Sequence, residues 1–180
     1  MLLSGSALAF SDQNASPVSA GLTGKPVDPF SSPARVRVLL FVRTDCPITN
    51  RYAPELQRIA GEFSSQSVRF WLVYPDKSAT TKEIESHVAQ YHFPGTPVLD
   101  PAQLLVQRAQ AQVAPEAAVF DRTGNLVYHG RIDDRWVDFG KARAEAQTHD
   151  LQDVIRNVLA GRPVIHSWEP AVGCSLADLR

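Results

Sequence analysis

Apolar and polar positions divide this chain into short blocks of two different periods. Residues 36–43 (VRVLLFVR) and 68–74 (VRFWLVY) are apolar runs bounded by turn signals, the pattern of buried strands. After the first run, Tyr52, Leu56, Ile59, Ala60 and Phe63 recur at helical spacing. This predicts a helix from Asn50 onward, with Pro54 marking a kink or a delayed start. Ala79 to Tyr91 reads as a second helix, capped by Thr80 or Thr81 and carrying Glu83 in its first turn. A short strand at 97–99 and a short helix from Gln103 to Ala109 follow. Residues 117–121 and 126–132 are strands joined by the tight turn Arg122-Thr123-Gly124-Asn125, hence a hairpin. Leu151 to Leu159 is a last amphipathic helix, capped by Thr148 or Asp150 and stopped at Gly161 with Pro163 beyond.

Strand, helix, strand, helix, insert, hairpin, helix is an α/β order. It predicts parallel strands with crossover helices, to which the hairpin adds antiparallel strands, giving a central mixed sheet flanked by helices. The stretch SDQNASPVSAGLTGKPVDPFSSP is rich in Ser, Pro and Gly and reads as extended and poorly packed. The predicted organisation is a flexible leader at 1–34, one domain at 35–165 and an extended tail at 166–180.

Composition narrows the function classes. The chain has 180 residues, 44% of them hydrophobic and 21% charged, enough for one domain with a real core. A net charge of −1 gives no general attraction to nucleic acid or to anionic membrane, and no basic stripe interleaved with aromatics is present. No apolar run approaches the roughly 20 residues that span a bilayer. The start, MLLSGSALAFS, ends in a small-x-small pattern at Ala7-Leu8-Ala9 like a secretory signal but lacks its positive beginning. A periplasmic or exported location is slightly favoured over the cytoplasm.

The two cysteines are Cys46 and Cys174. Cys46 falls where a strand hands over to a helix. Helix N-termini offer unpaired N–H groups and a positive dipole end, both of which favour thiolate, the nucleophilic form. Arg43 and Arg51 are close in sequence and add to this; Asp45 opposes it. Pro47 suits the first helical turn. The alternative is a buried inert cysteine of the core. Thr49 stands one turn after Cys46, on the same helix face, with a hydroxyl where a second thiol would close a local disulfide. Cys174, in the tail EPAVGCSLADLR, is the internal candidate for a resolving thiol; an unpaired tail thiol is the other reading, and sequence separation carries no distance information.

Three features together resemble the thioredoxin-like superfamily over roughly residues 35 to 160. They are the strand-to-helix cysteine in FVRTDCPITN, the Val113-Ala114-Pro115 segment before a strand, and the hairpin AAVFDRTGNLVYHGRI. More narrowly the chain looks like the redoxin branch related to alkyl hydroperoxide reductase and thiol-specific antioxidant proteins. The resemblance implies a thioredoxin fold with an insertion after the second helix. It also implies a cis-proline at Pro115 that faces Cys46 and presents the Ala114 backbone to an incoming strand. Departures are equally specific. Cys46-Pro47-Ile48-Thr49 is not C-x-x-C, and Asn50 breaks the C-x-x-x-C of copper carriers. Arg43 stands where peroxiredoxins carry threonine, with Thr44 one place later.

The resulting expectation is a thiol-based redox protein using Cys46 as its single nucleophile, reducing peroxide or a protein disulfide, with antioxidant or peroxidase-like activity as one form. Its partners would be a small thiol or thioredoxin-like electron donor and an external or distant resolving thiol. Candidate substrate contacts are Thr44, Pro47, Ala114, Pro115, Arg131 and Asp133. Arg131, Asp133, Asp134 and Arg135 read either as a solvated face or as an arginine and a carboxylate lining the crevice. Trp136 and Phe139 read as residues that pack this loop down. No cofactor is expected, nor a metal, since His129, His149 and His166 share no ligand spacing. The competing class is a non-catalytic binding module or a metallochaperone.

Overall fold

A computed structural model describes residues 19–31 and 33–179. Its strands in chain order are β1 (Ser19–Gly21), β2 (Pro26–Val27), β3 (Val36–Phe41), β4 (Val68–Tyr74), β5 (Thr96–Leu99), β6 (Val113–Ala114), β7 (Glu116–Phe120) and β8 (Leu126–Gly130). They continue as β9 (Trp136–Asp138), β10 (Lys141–Ala142), β11 (Trp168–Glu169) and β12 (Cys174–Ser175). The helices are α1 (Pro47–Glu62), α2 (Thr81–Tyr91), α3 (Leu104–Ala109) and α4 (Asp150–Leu159).

Eight strands form one sheet in the order β11-β8-β7-β3-β4-β5-β1-β2. β3, β4 and β5 run parallel, β7 and β8 return antiparallel from β3, and β11 runs parallel to β8 at the edge. This is the expected mixed sheet. β3 is apolar at every position but one because both of its faces are covered. Val36, Val38 and Leu40 join the core built with α1, α2 and α4, whereas Leu39 and Phe41 join the core built with α3. Arg37 interrupts that second face, buried, with its guanidinium donating to the Asp121 carbonyl.

The boundaries differ from the sequence reading in informative ways. Part of the segment assigned to a flexible leader belongs to the sheet: β1 pairs with β5, Ala20 opposite Leu99, and with β2. Three residues and a turn are too short to show periodicity, so only a strand edge needing a partner explains them. The signal-like start and the expected leader over residues 1–18 lie outside the described residues. α1 starts at Pro47 and runs on through Pro54. Pro54 removes one ladder donor, and the apolar stripe of Ile48, Tyr52, Leu56 and Ile59 against the sheet outweighs that loss. α2 has the expected capping box, in which Thr80 Oγ1 accepts from the Glu83 amide and the Glu83 carboxylate accepts from the Thr80 amide. α4 has His149 at its cap position, without a side-chain bond. Thr148, expected there, instead donates its hydroxyl to Asp150. Phe139 does not pack the loop: it is 61% exposed, while Trp136 is packed against the core and lies under the Arg51 guanidinium, 5.7 Å from its ring centroid.

Candidate active site

Cys46 occupies the N-cap position of α1, directly after the central strand β3, with Pro47 in the first turn. The strand ends because the following turn, Arg43-Thr44-Asp45, is polar. Arg43 donates to both carboxylate oxygens of Asp45, at 2.9 and 2.8 Å. That bond holds the Asp45 carboxyl below its ordinary range and pushes the Arg43 guanidinium up. Arg43 is thus spent on Asp45 and on the tail, and Arg51 on Trp136.

Cys46 is completely enclosed and is disulfide-bonded to Cys174, 128 residues away, with the two α-carbons 6.1 Å apart. The tail reaches the crevice as a strand. β12 pairs antiparallel with β6, Cys174 opposite Ala114 and Ser175 opposite Val113. Three further bonds fasten it: the Leu176 amide donates to the Gln112 carbonyl at 2.9 Å, Arg43 to the Ser175 carbonyl at 2.8 Å, and Gln103 to the Leu176 carbonyl at 3.2 Å. Leu176 is buried in the α3-side core beside Leu105, Ala109 and Ala114, and Val172 packs on the other core. Gly173 has no tolerance for a side chain, since a Cβ there would overlap the Ala114 carbonyl. The Ala114–Pro115 peptide bond is cis. The Cys46 sulfur lies 3.0 Å from the Ala114 carbonyl oxygen. In the disulfide that sulfur carries no proton; a reduced thiol in the same place has an acceptor for its own.

Sequence candidates separate here into two groups. Cys46, Cys174, Ala114 and Pro115 are brought together. Thr49 is fully buried, and its hydroxyl has no hydrogen-bond partner among the described residues. Thr44 lines an open cleft of about 370 Å³ with His87 and Tyr91 of α2. Arg131 and Asp133 bond elsewhere: Arg131 pairs with Asp150 at 2.9 Å, and Asp133 accepts from the Tyr52 hydroxyl at 2.6 Å and the Arg135 amide. Asp133 is buried, and burial pushes its carboxyl up. It braces α1 from the side through Tyr52. Among the described residues no cluster of three or more His, Cys, Asp or Glu is placed to hold a metal ion, and no helix is long and apolar enough to cross a membrane.

Two residues not singled out from the sequence shape the crevice. Glu116, buried directly after Pro115, accepts the Gln112 and Val113 amides at 2.7 and 3.2 Å and faces His129 at 3.1 Å. It therefore holds the loop that carries β6. A carboxylate opening an otherwise apolar strand, EAAVF, was the available signal. His87 is the other. Its ring accepts from the Tyr74 hydroxyl at 2.9 Å and donates to Asn50 Oδ1 at 2.7 Å, so it ties α2 to the first turns of α1. Burial lowers its pKa to about 4. The unfolded chain therefore takes up a proton between about pH 6.5 and 4 that the folded protein refuses, and stability falls as pH drops through that window. Urea midpoints at pH 7 and pH 5 should differ, and the difference should shrink in His87→Gln; an unchanged difference would remove His87 as its source.

Neither a protein-family model nor a curated protein sequence matches this chain. Solved structures do match. A hypothetical protein of Sinorhizobium meliloti 1021 superposes with a TM-score of 0.75 at 21% identity over 95% of both chains. A secreted disulfide oxidoreductase of Mycobacterium tuberculosis, described as homologous to E. coli DsbE, gives 0.57 at 20% identity, covering 84% of this chain and 99% of the other. A thioredoxin-like protein of Aeropyrum pernix gives 0.59 at 14% identity, covering 83% and 91%. The fold is thioredoxin-like. Within that thioredoxin-like fold the cysteine of the strand–helix junction and its cis-proline segment frame one crevice, and here the C-terminal tail fills it.

Proposed function

We propose that this protein is a thiol–disulfide oxidoreductase whose redox couple is Cys46 and Cys174. One observation carries the reading: Cys174 lies in an extended segment, strand-paired on Ala114 and bonded to Cys46. The crevice thus accommodates a polypeptide disulfide, which favours protein disulfides over peroxide as substrate. In the reduced protein the Cys46 thiolate, favoured by the α1 N-terminus, attacks one sulfur of a substrate disulfide. A mixed disulfide forms and the other substrate sulfur leaves as thiolate. The Cys174 thiolate then attacks the Cys46 sulfur, the remaining substrate thiolate leaves, and the Cys46–Cys174 bond closes. Two electrons pass to the substrate, and a donor thiol, small or thioredoxin-like, restores the protein. Cys174 takes the resolving role, so the expected single-cysteine scheme becomes a two-cysteine one. A disulfide of this kind persists in an oxidising compartment, in keeping with an exported protein.

The test is reduction of insulin by the reduced protein in the presence of dithiothreitol, set beside its consumption of hydrogen peroxide. Turnover of insulin above background supports the reading. Peroxide consumption without insulin reduction would replace it with a peroxidase, in which Cys46 passes through a sulfenic acid that Cys174 condenses with.

Thr49 has a specific part in this scheme. Its buried hydroxyl has no partner among the described residues while the disulfide stands, and lies one helical turn from Cys46. Reduction supplies an acceptor in the thiolate, so the hydroxyl stabilises the reduced form. A hydrogen bond to a charged group is worth about 1.5–3 kcal/mol, so Thr49→Val should raise the Cys46 pKa by about 1–2 units. Iodoacetamide alkylation against pH, on a Cys174→Ala background, reads it directly; an unshifted curve would mean that the hydroxyl does not face the sulfur.

A further inference from the structure

The two sulfurs of the disulfide are not equivalent. Cys46 is completely buried beneath the tail, at the N-terminus of α1, whereas Cys174 is partly exposed on the docked strand. Thiol–disulfide exchange requires the incoming thiolate to reach one sulfur and the other to depart as a stable thiolate. Both conditions choose the same direction. Access selects Cys174 as the sulfur attacked. The α1 N-terminus, which favours negative charge, makes Cys46 the better leaving group.

Resting on the redox reading above, we infer that reducing equivalents reach the oxidised protein through Cys174, and that this step unlocks the tail from the Ala114 strand. The donor thiolate attacks the Cys174 sulfur, a donor–Cys174 disulfide forms, the Cys46–Cys174 bond breaks, and the electron pair leaves on Cys46 as thiolate. A second donor thiolate then attacks the donor sulfur of the mixed disulfide. It releases oxidised donor and a Cys174 thiolate, which takes a proton from solvent. The donor class is a thiol, monothiol or dithiol.

Cys174 is therefore the acceptor of electrons in the oxidised protein and the resolving nucleophile in the reduced one. Cys46 meets only the substrate. The two half-reactions use different sulfurs, and the tail separates them. While it is docked, β12 fills the pairing edge of β6, and Ala114 is closed to another strand. Once Cys174 carries the donor, the covalent tie to Cys46 is gone. What remains is the β12–β6 pairing, the Leu176 anchor with its amide donating to the Gln112 carbonyl, and the bonds donated by Arg43 and Gln103. A protein substrate competes against these for the same edge.

The experiment is a brief reaction of the oxidised full-length protein with glutathione, quenched in acid, alkylated with N-ethylmaleimide and mapped by peptide mass. Glutathione on the Cys174 peptide with N-ethylmaleimide on Cys46 is the expected first product. Glutathione on Cys46 with alkylated Cys174 overturns this inference and leaves the redox couple standing. A disulfide left untouched in the folded protein by dithiothreitol, at a concentration that fully reduces glutathione disulfide, overturns the couple, and this inference with it. A second measurement uses the single-cysteine variants Cys46→Ala and Cys174→Ala, each reacted with 5,5′-dithiobis(2-nitrobenzoate) in its folded state. With the tail docked, Cys174 in Cys46→Ala should react at least about tenfold faster than Cys46 in Cys174→Ala when the pH is high enough to hold both as thiolates, so that access and not ionisation sets the rate. The reverse order would contradict selection by access.

Discussion

Cys46→Ser should abolish disulfide exchange, reducing insulin turnover to background, whereas Cys174→Ser should keep the first step and lose the second. The difference follows from their places. Cys46 sits on the α1 N-terminus beside the cis-proline segment, where the proposed scheme places the nucleophile and the substrate strand. In that scheme Cys174 releases the product. A Cys174→Ser protein mixed with a disulfide substrate should therefore accumulate as a stable mixed disulfide on Cys46, visible as a mass increase that dithiothreitol removes. Both variants should also lose stability relative to the oxidised parent. The bond closes a loop spanning 128 residues. Cross-links of this kind are typically worth about 2–4 kcal/mol, through restriction of the unfolded chain. Equal loss in both variants, read from urea unfolding, would locate the stability effect in the cross-link; equal loss of exchange chemistry in both would contradict the division of roles.

The second large effect belongs to Gly173. No Cβ fits between this residue and the Ala114 carbonyl. Gly173→Val must push the tail off β6 or distort it, and overpacking of this sort costs about 1–3 kcal/mol. That cost falls most heavily on the oxidised form, whose disulfide pins the tail to β6, and less on the reduced form, whose tail can undock. The equilibrium between protein disulfide and glutathione should move toward the reduced protein by about fivefold to a hundredfold, since each 1.4 kcal/mol is a factor of ten. Leu176→Ala should act in the same direction, through loss of a buried apolar anchor and not through a clash. An unchanged equilibrium in both variants would mean that docking contributes nothing to the disulfide.

The sheet and its helices were legible because their signal is local. β3 and β4 are apolar runs broken only by Arg37 and Arg69, α1 carries a stripe at helical spacing, and Asp121 with Asn125 and Gly124 marks the hairpin turn. Cys46 was legible for the same reason, since a strand–helix junction fixes a residue's surroundings without reference to distant chain. The docking of the tail was not. A strand of two residues has no period, and nothing in VGCSL states which edge it will pair with. Only the identities of Gly173 and Leu176 hint at it: one must be small against a carbonyl, the other must be buried. β1 is equally silent in the sequence, inside a stretch whose Ser, Pro and Gly content reads as linker. Arg131 and Asp133 left two readings open, a solvated face or a crevice lining, because their partners Asp150 and Tyr52 are not adjacent in sequence.

The central claim is that Cys46 and Cys174 form a reversible couple within one chain. Redox equilibration of the purified protein against graded glutathione and glutathione disulfide, followed by acid quench, alkylation and intact-mass analysis, tests it most directly. The account predicts two species, fully reduced with two alkyl groups and fully oxidised with none, exchanging in one reversible two-electron transition under native conditions. Two free thiols at every poise, or a disulfide that yields only after unfolding, would contradict it.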